Sequence, residues 1–88
     1  MDLEQEIKDN KILMVLFVSS DCRHCMFVED SPDWFNNINK RIVINVTNKP
    51  EFIKKYSLRS TPTLLVFENG IITVNAIGQV MCENYLKL

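Results

Sequence analysis

No apolar run in these 88 residues can cross a membrane. The longest, ILMVLFV at 12–18, falls far short of the roughly 20 residues a transmembrane helix needs. Charge of one sign is missing as well. Ten basic and eleven acidic side chains leave a formal net charge of −1, so there is no electrostatic footprint for nucleic acid. No block of like charge marks an interaction tail. The opening MDLEQEIKDN is acidic and polar, the reverse of the basic-then-apolar layout of a secretory leader. Three cysteines are too few, and of the wrong parity, for a secreted domain stapled by disulfides. Repeats, linkers and low-complexity stretches are absent. The expectation is a soluble, cytoplasmic monomer with a single domain over residues 1–88 and neither membrane nor nucleic acid among its partners. A chain this short buries only about 60–65% of its unfolded surface, so its core is modest.

What is present is patterned. Residues 2–9 have helical composition, with Leu3 and Ile7 four apart on one face. KILMVLFV lacks polar alternation and reads as a strand buried on both faces. HCMFVED resumes helical composition, and SPDWF opens a second helix with Ser31 as N-cap, Pro32 at the first helical position and Asp33 in the first turn. RIVINV at 41–46 is the next strand. Asn48 is placed to cap a helix over KPEFIKKYSL, with Phe52, Ile53 and Tyr56 on one face. TLLVF and IITVNAI flank ENG, and Asn69-Gly70 is a strong hairpin signal because both turn residues must accept positive φ. QVMCENYLKL closes as a helix, with Val80, Met81, Tyr85 and Leu86 expected inward. Strand–helix–strand units joined to a terminal hairpin imply an α/β fold, a mixed sheet covered by helices on both faces.

Within SSDCRHCMFVED, Cys22 and Cys25 bracket Arg23-His24 at the end of the first apolar run. Such a pair can be redox-active, part of a metal site, or structural. Zinc needs four ligands, and only Cys22, Cys25, Cys82 and His24 are on offer. His24 lies inside the cysteine pair and cannot easily join it around one tetrahedral ion. An iron–sulfur cluster shared across a dimer is the more serious metal reading. Haem attachment requires histidine after the second cysteine, where Met26 stands. Beside a strand–helix–strand pattern, the spacing reads as a redox motif.

VLFVSSDCRHC, INVTNKPEFIKKYSLRSTPTLLVFENG and AIG together resemble the thioredoxin family over most of residues 12–88. The resemblance implies a thioredoxin-like fold without the family's first strand, leaving a compact four-stranded mixed sheet flanked by helices. It implies roles by position: Cys22 as nucleophile, Cys25 as resolving cysteine, Pro62 after Thr61 as the cis-proline beside them, and Gly78 in the loop bordering the substrate groove. It also shows departures. Leu16 stands where thioredoxins carry a buried aspartate that helps deprotonate the resolving cysteine. Val18 and Asp21 replace two signature tryptophans, and Arg-His replaces Gly-Pro between the cysteines. The double-glycine glutathione signature of glutaredoxins is absent from ENGIITVNAIGQ.

Exchange needs a thiolate, and free cysteine titrates near 8.5. Cys22 falls where strand becomes helix, so unpaired backbone N–H groups and the helix dipole favour its anion. Arg23 is permanently cationic, and His24 adds a second basic side chain within the same turn. Asp21 opposes both, but an exposed carboxylate is well screened. The expectation is a lowered Cys22 pKa and an inward Cys25 that releases the mixed disulfide. Pro62 offers an edge for a substrate backbone. Cys82 reads as a buried small apolar residue, Trp34 as a core or helix-surface aromatic, Lys54-Lys55 and Lys40-Arg41 as solvated faces, and Arg59 as a residue that could steer acidic partners. The expected function is a thiol–disulfide oxidoreductase acting on protein disulfides, fed by a reductase or glutathione and needing no bound cofactor. The alternatives are a glutathione-dependent glutaredoxin-like protein, and a thioredoxin-fold adaptor or cluster-binding protein without enzymatic activity.

Overall fold

The computed structural model describes residues 2–88, which run α1 (Leu3–Asp9), β1 (Ile12–Val18), α2 (Arg23–Glu29), α3 (Pro32–Phe35), β2 (Lys40–Asn45), α4 (Pro50–Lys55), β3 (Thr63–Glu68), β4 (Ile71–Ile77) and α5 (Gln79–Leu86). The sheet order is β2-β1-β3-β4. β1 pairs parallel with β2 and antiparallel with β3, which pairs antiparallel with β4. This is the four-stranded mixed sheet the resemblance implies. Among the described residues no helix is long and apolar enough to cross a membrane.

β1 is apolar throughout because both of its faces are covered. Met14, Leu16 and Val18 point into a core shared with Cys25 and Val28 of α2, Trp34 of α3, and Cys82 and Leu86 of α5. Leu13, Val15 and Phe17 point the other way, into a core with Leu3, Ile42, Ile44 and Leu65. Phe17 there packs against Phe52 and Tyr56, with ring centroids 6.3 and 5.5 Å away. Glu4 of α1 pairs with Lys55 of α4 over this second core. Asn69 and Gly70, with φ of 52° and 83°, make the β3–β4 turn, as the sequence predicts.

Several expectations need correction. Val80 and Met81 are exposed, at 67% and 55%. α5 docks through Cys82 and Leu86, one turn apart, with Tyr85 beside them; at about 100° per residue Val80 lies on the opposite side from Cys82. Asn48 does not cap α4. Lys49 occupies that position without a side-chain bond, and Pro50 at the first helical position starts the helix instead. α4 is also shorter than 49–58, because Ser57 turns left-handed at φ 52°. Only Phe52 and Tyr56, one turn apart, face the core from it, and Ile53 is half-exposed. Ser31 does precede α3 with Pro32 at its start, but makes no side-chain cap bond.

Candidate functional site

β1 ends at Val18 in the middle of the sheet, so the chain must leave there and turn back to cover one face. Asp21 makes the turn at φ 58°, a conformation that aspartate tolerates better than most residues. Ser20 N–H, just before it, donates to Thr47 Oγ1 at 2.8 Å. α2 then begins with Cys22 as its N-cap, and the amide of Cys25 donates to Cys22 Sγ at 3.1 Å. Cys22 and Cys25 are joined in a disulfide with Cα atoms 5.2 Å apart. Cys22 is partly exposed at its rim, whereas Cys25 is 2% exposed and packed in the core beneath.

The loop before β3 closes over this disulfide. Its Thr61–Pro62 peptide bond is cis, as the resemblance implies. Thr61 Oγ1 and the Thr61 carbonyl oxygen each lie 3.7 Å from Cys22 Sγ. Disulfide sulfur carries no proton, so the carbonyl contact becomes a hydrogen bond only when Cys22 is a thiol. Ser19 Oγ lies 2.6 Å from Thr61 Oγ1. Gly78, at φ 88°, donates its N–H to the Pro62 carbonyl at 2.8 Å; the positive φ is what glycine permits there. A groove of ≈ 300 Å³ runs past these residues, lined by His24, Thr61, Pro62, Ile77, Gly78 and Val80 among others.

The two residues between the cysteines part company. His24 lies on the groove side, where its Nδ1 is 2.7 Å from Gln79 Oε1. Gln79 Nε2 donates to Glu83 Oε1 at 3.2 Å, which leaves Gln79 Oε1 to accept, so His24 Nδ1 is the donor. Arg23 lies on the other flank with Asp21, Met26, Phe27 and Asp30. Arg59 borders a third depression of ≈ 240 Å³, shared with Ser19 and Thr61. The structure therefore gathers Cys22, Cys25, His24, Thr61, Pro62 and Gly78 into one place and sets Arg23 at its edge. The sequence had not singled out Ser19 or Gln79. Each meets its partner across more than forty positions of chain, and no local spacing announces such a contact.

Leu16 and Cys82 are fully buried. Cys82 donates its thiol to the Ala76 carbonyl at 3.4 Å, and burial pushes that thiol up to about 11 from 9.0. A thiol held protonated in the fold but free to ionise when unfolded favours folding up to pH 9, and the advantage is lost as pH rises toward 11. The loss is on the order of 2–3 kcal/mol, taking about 1.4 kcal/mol per pH unit. Denaturant titrations at several alkaline pH values should show this slope in the wild type and a shallower one in Cys82→Ala. Among the described residues no group of three or more His, Cys, Asp or Glu gathers to hold a metal ion.

Comparison with known proteins agrees with this architecture. The thioredoxin family profile matches residues 1–87. A thioredoxin of Echinococcus granulosus is 28% identical over 79 residues, covering 86% of this chain and 74% of the relative. Oxidised mitochondrial thioredoxin 3 of Saccharomyces cerevisiae superposes with a TM-score of 0.80 at 21% identity, over 97% of this chain and 85% of its own. A chain from the structure describing thiol resolution in the yeast mitochondrial 1-Cys peroxiredoxin by the glutathione/thioredoxin systems superposes equally well. Its TM-score is 0.80 at 20% identity, over 97% and 85% of the two chains.

Proposed function

This chain belongs to the thioredoxin family, and from that premise we propose that it exchanges a Cys22–Cys25 dithiol for disulfides in proteins. The observation that carries the proposal is the asymmetry of the pair: one sulfur on a partly exposed residue, 3.7 Å from Thr61 of the groove, the other sealed in the core. In the reduced protein the Cys22 thiolate attacks one sulfur of a substrate disulfide. The substrate S–S bond breaks, its second sulfur leaves as a thiolate, and a mixed disulfide forms. Cys25 then loses its proton and attacks Cys22 Sγ. The substrate departs as a dithiol, and the Cys22–Cys25 disulfide remains. Two electrons have passed to the substrate, to be returned by a reductase or by glutathione.

The groove supplies the positioning. A substrate segment lying along Thr61–Pro62 can add backbone hydrogen bonds in the manner of an extra strand, and Pro62 has no N–H of its own to interfere. Ile77 and Val80 give that segment an apolar floor. Val80, turned away from the core, is thereby explained.

Alkylation tests the assignment. Fully reduced protein treated with iodoacetamide near pH 7 should lose Cys22 first, by at least about tenfold over Cys25 and Cys82, because the thiolate reacts and burial protects the other two. Peptide mass spectrometry reads the order. Equal labelling of all three in the folded state would favour the adaptor alternative over the enzyme.

A further inference from the structure

The geometry points to Ser19 as a positioning residue for Cys22: through Thr61 it aims a second hydrogen-bond donor at the Cys22 sulfur. The inference rests on the reading of Cys22 as the attacking sulfur. It starts from two strand ends. Phe17 of β1 sits opposite Thr63 of β3, and two residues after the one and two before the other the side chains of Ser19 and Thr61 still meet, 2.6 Å between their oxygens. Both residues are partly buried, and Thr61 Oγ1 is the atom of the pair that lies within 3.7 Å of Cys22 Sγ.

Each hydroxyl has a single proton to give. If Thr61 donates to Ser19, nothing is left for the sulfur. If Ser19 donates to Thr61, the Thr61 proton is free to turn to Cys22. Against a disulfide sulfur, a weak acceptor, little separates the two arrangements. Against a thiolate the second adds a charge-assisted hydrogen bond beside that of the Cys25 amide. The Thr61 carbonyl, at 3.7 Å from the same sulfur, works the other way: it can accept from the thiol and is an unfavourable neighbour for the anion. Thr61 thus offers an acceptor to one protonation state and a donor to the other, and Ser19, donating to Thr61 Oγ1, orients and polarises that donor. Leu16 leaves no carboxylate in the core below. The charged groups on the surrounding segments are Asp21, Arg23 and His24 on the turn of Cys22 itself, Arg59 on the loop before Thr61, and Glu83 behind Gln79 on α5. None of them is altered by changing either hydroxyl.

The test compares the reduced full chain with Ser19→Ala, Thr61→Val, the double variant and Ser19→Thr, following Cys22 alkylation by iodoacetamide from pH 5 to 10. In Ser19→Ala the midpoint of the pH–rate profile should move upward and the rate at pH 7 fall by up to about threefold, since Thr61 keeps its proton but loses the hydrogen bond that fixes and polarises its hydroxyl, while the remaining thiolate becomes more nucleophilic. Thr61→Val should do at least as much, and the double variant no more than Thr61→Val alone, because Ser19 acts only through Thr61. Ser19→Thr should restore the wild-type profile. A Ser19→Ala profile that superimposes on the wild type, or a double variant slowed by the product of the single effects, overturns the relay. A wild-type Cys22 that alkylates no faster than Cys82 instead sinks the parent reading, so the two failures are told apart.

Discussion

Serine at position 22 should end turnover of a protein disulfide, with a loss of at least about a thousandfold, while serine at position 25 should stop the cycle halfway. The difference follows from where the two sulfurs sit. Cys22 is partly exposed beside Thr61, and its Sγ accepts from the Cys25 amide, so it is both reachable and favoured as an anion. A serine hydroxyl in its place stays protonated and attacks nothing. Cys25 is sealed in the core and meets no substrate, so Cys25→Ser leaves the first attack intact and removes the group that would resolve it. The mixed disulfide should then accumulate at one equivalent per chain, visible as a mass increase that dithiothreitol reverses. Used in a cell extract, the same variant should hold a disulfide-bonded partner, which mass spectrometry of the adduct would identify. Trapping by Cys22→Ser with Cys25 intact would reverse the assigned roles.

The second large effect concerns the pair Arg23-His24. The disulfide is uncharged, so positive charge beside it favours only the reduced, thiolate form and makes the couple more oxidising. Thioredoxin lies near −270 mV and disulfide isomerase near −180 mV; the expected potential here is between them, at roughly −240 to −180 mV. Replacing Arg23-His24 with Gly-Pro should lower it by about 30–90 mV, or about 1.4–4 kcal/mol at 30 mV per 1.4 kcal/mol. Proline is tolerated in the first turn of α2, where an N–H has no partner in the helix. The same change should slow Cys22 alkylation. The structure adds a distinction between the two residues. His24 is held on the groove side by a glutamine whose own amide is fixed by Glu83, whereas Arg23 stands at the outer flank next to Asp21 and Asp30. His24→Ala and Arg23→Ala, measured separately, should each lower the potential by part of the shift of the double replacement. Equilibration with glutathione buffers measures each value; a wild-type potential at or below that of thioredoxin would remove the basic pair from the account.

Much of this was legible in the sequence for a simple reason: the informative segments are short and locally determined. Seven apolar residues in succession at Ile12–Val18, too few for a buried helix, read as a strand covered on both sides, and Asn69-Gly70 accepts a conformation most residues refuse. Cys22 and Cys25 sit one turn apart at a helix start whatever else the chain does. The errors fall where rotation about a helix axis decides. Val80, Met81 and Ile53 are apolar, yet hydrophobicity alone does not say which third of a short helix turns inward, and α5 settled it with a cysteine and a leucine. Contacts across the sheet were out of reach altogether. Ser19 against Thr61 and His24 against Gln79 depend on how strand ends and helix ends converge in space.

Leu16 has a bearing on durability. A domain of this size holds together by a margin of about 5–10 kcal/mol, and a fully buried leucine contributes about 2–3 kcal/mol to it. An ionisable carboxyl among Met14, Val28, Leu64 and Val66 would instead be desolvated, at a penalty of several kcal/mol in its charged form. The chain has settled on the more stable interior: a sizeable share of that margin is kept, and position 16 offers no carboxylate to take the proton that Cys25 sheds.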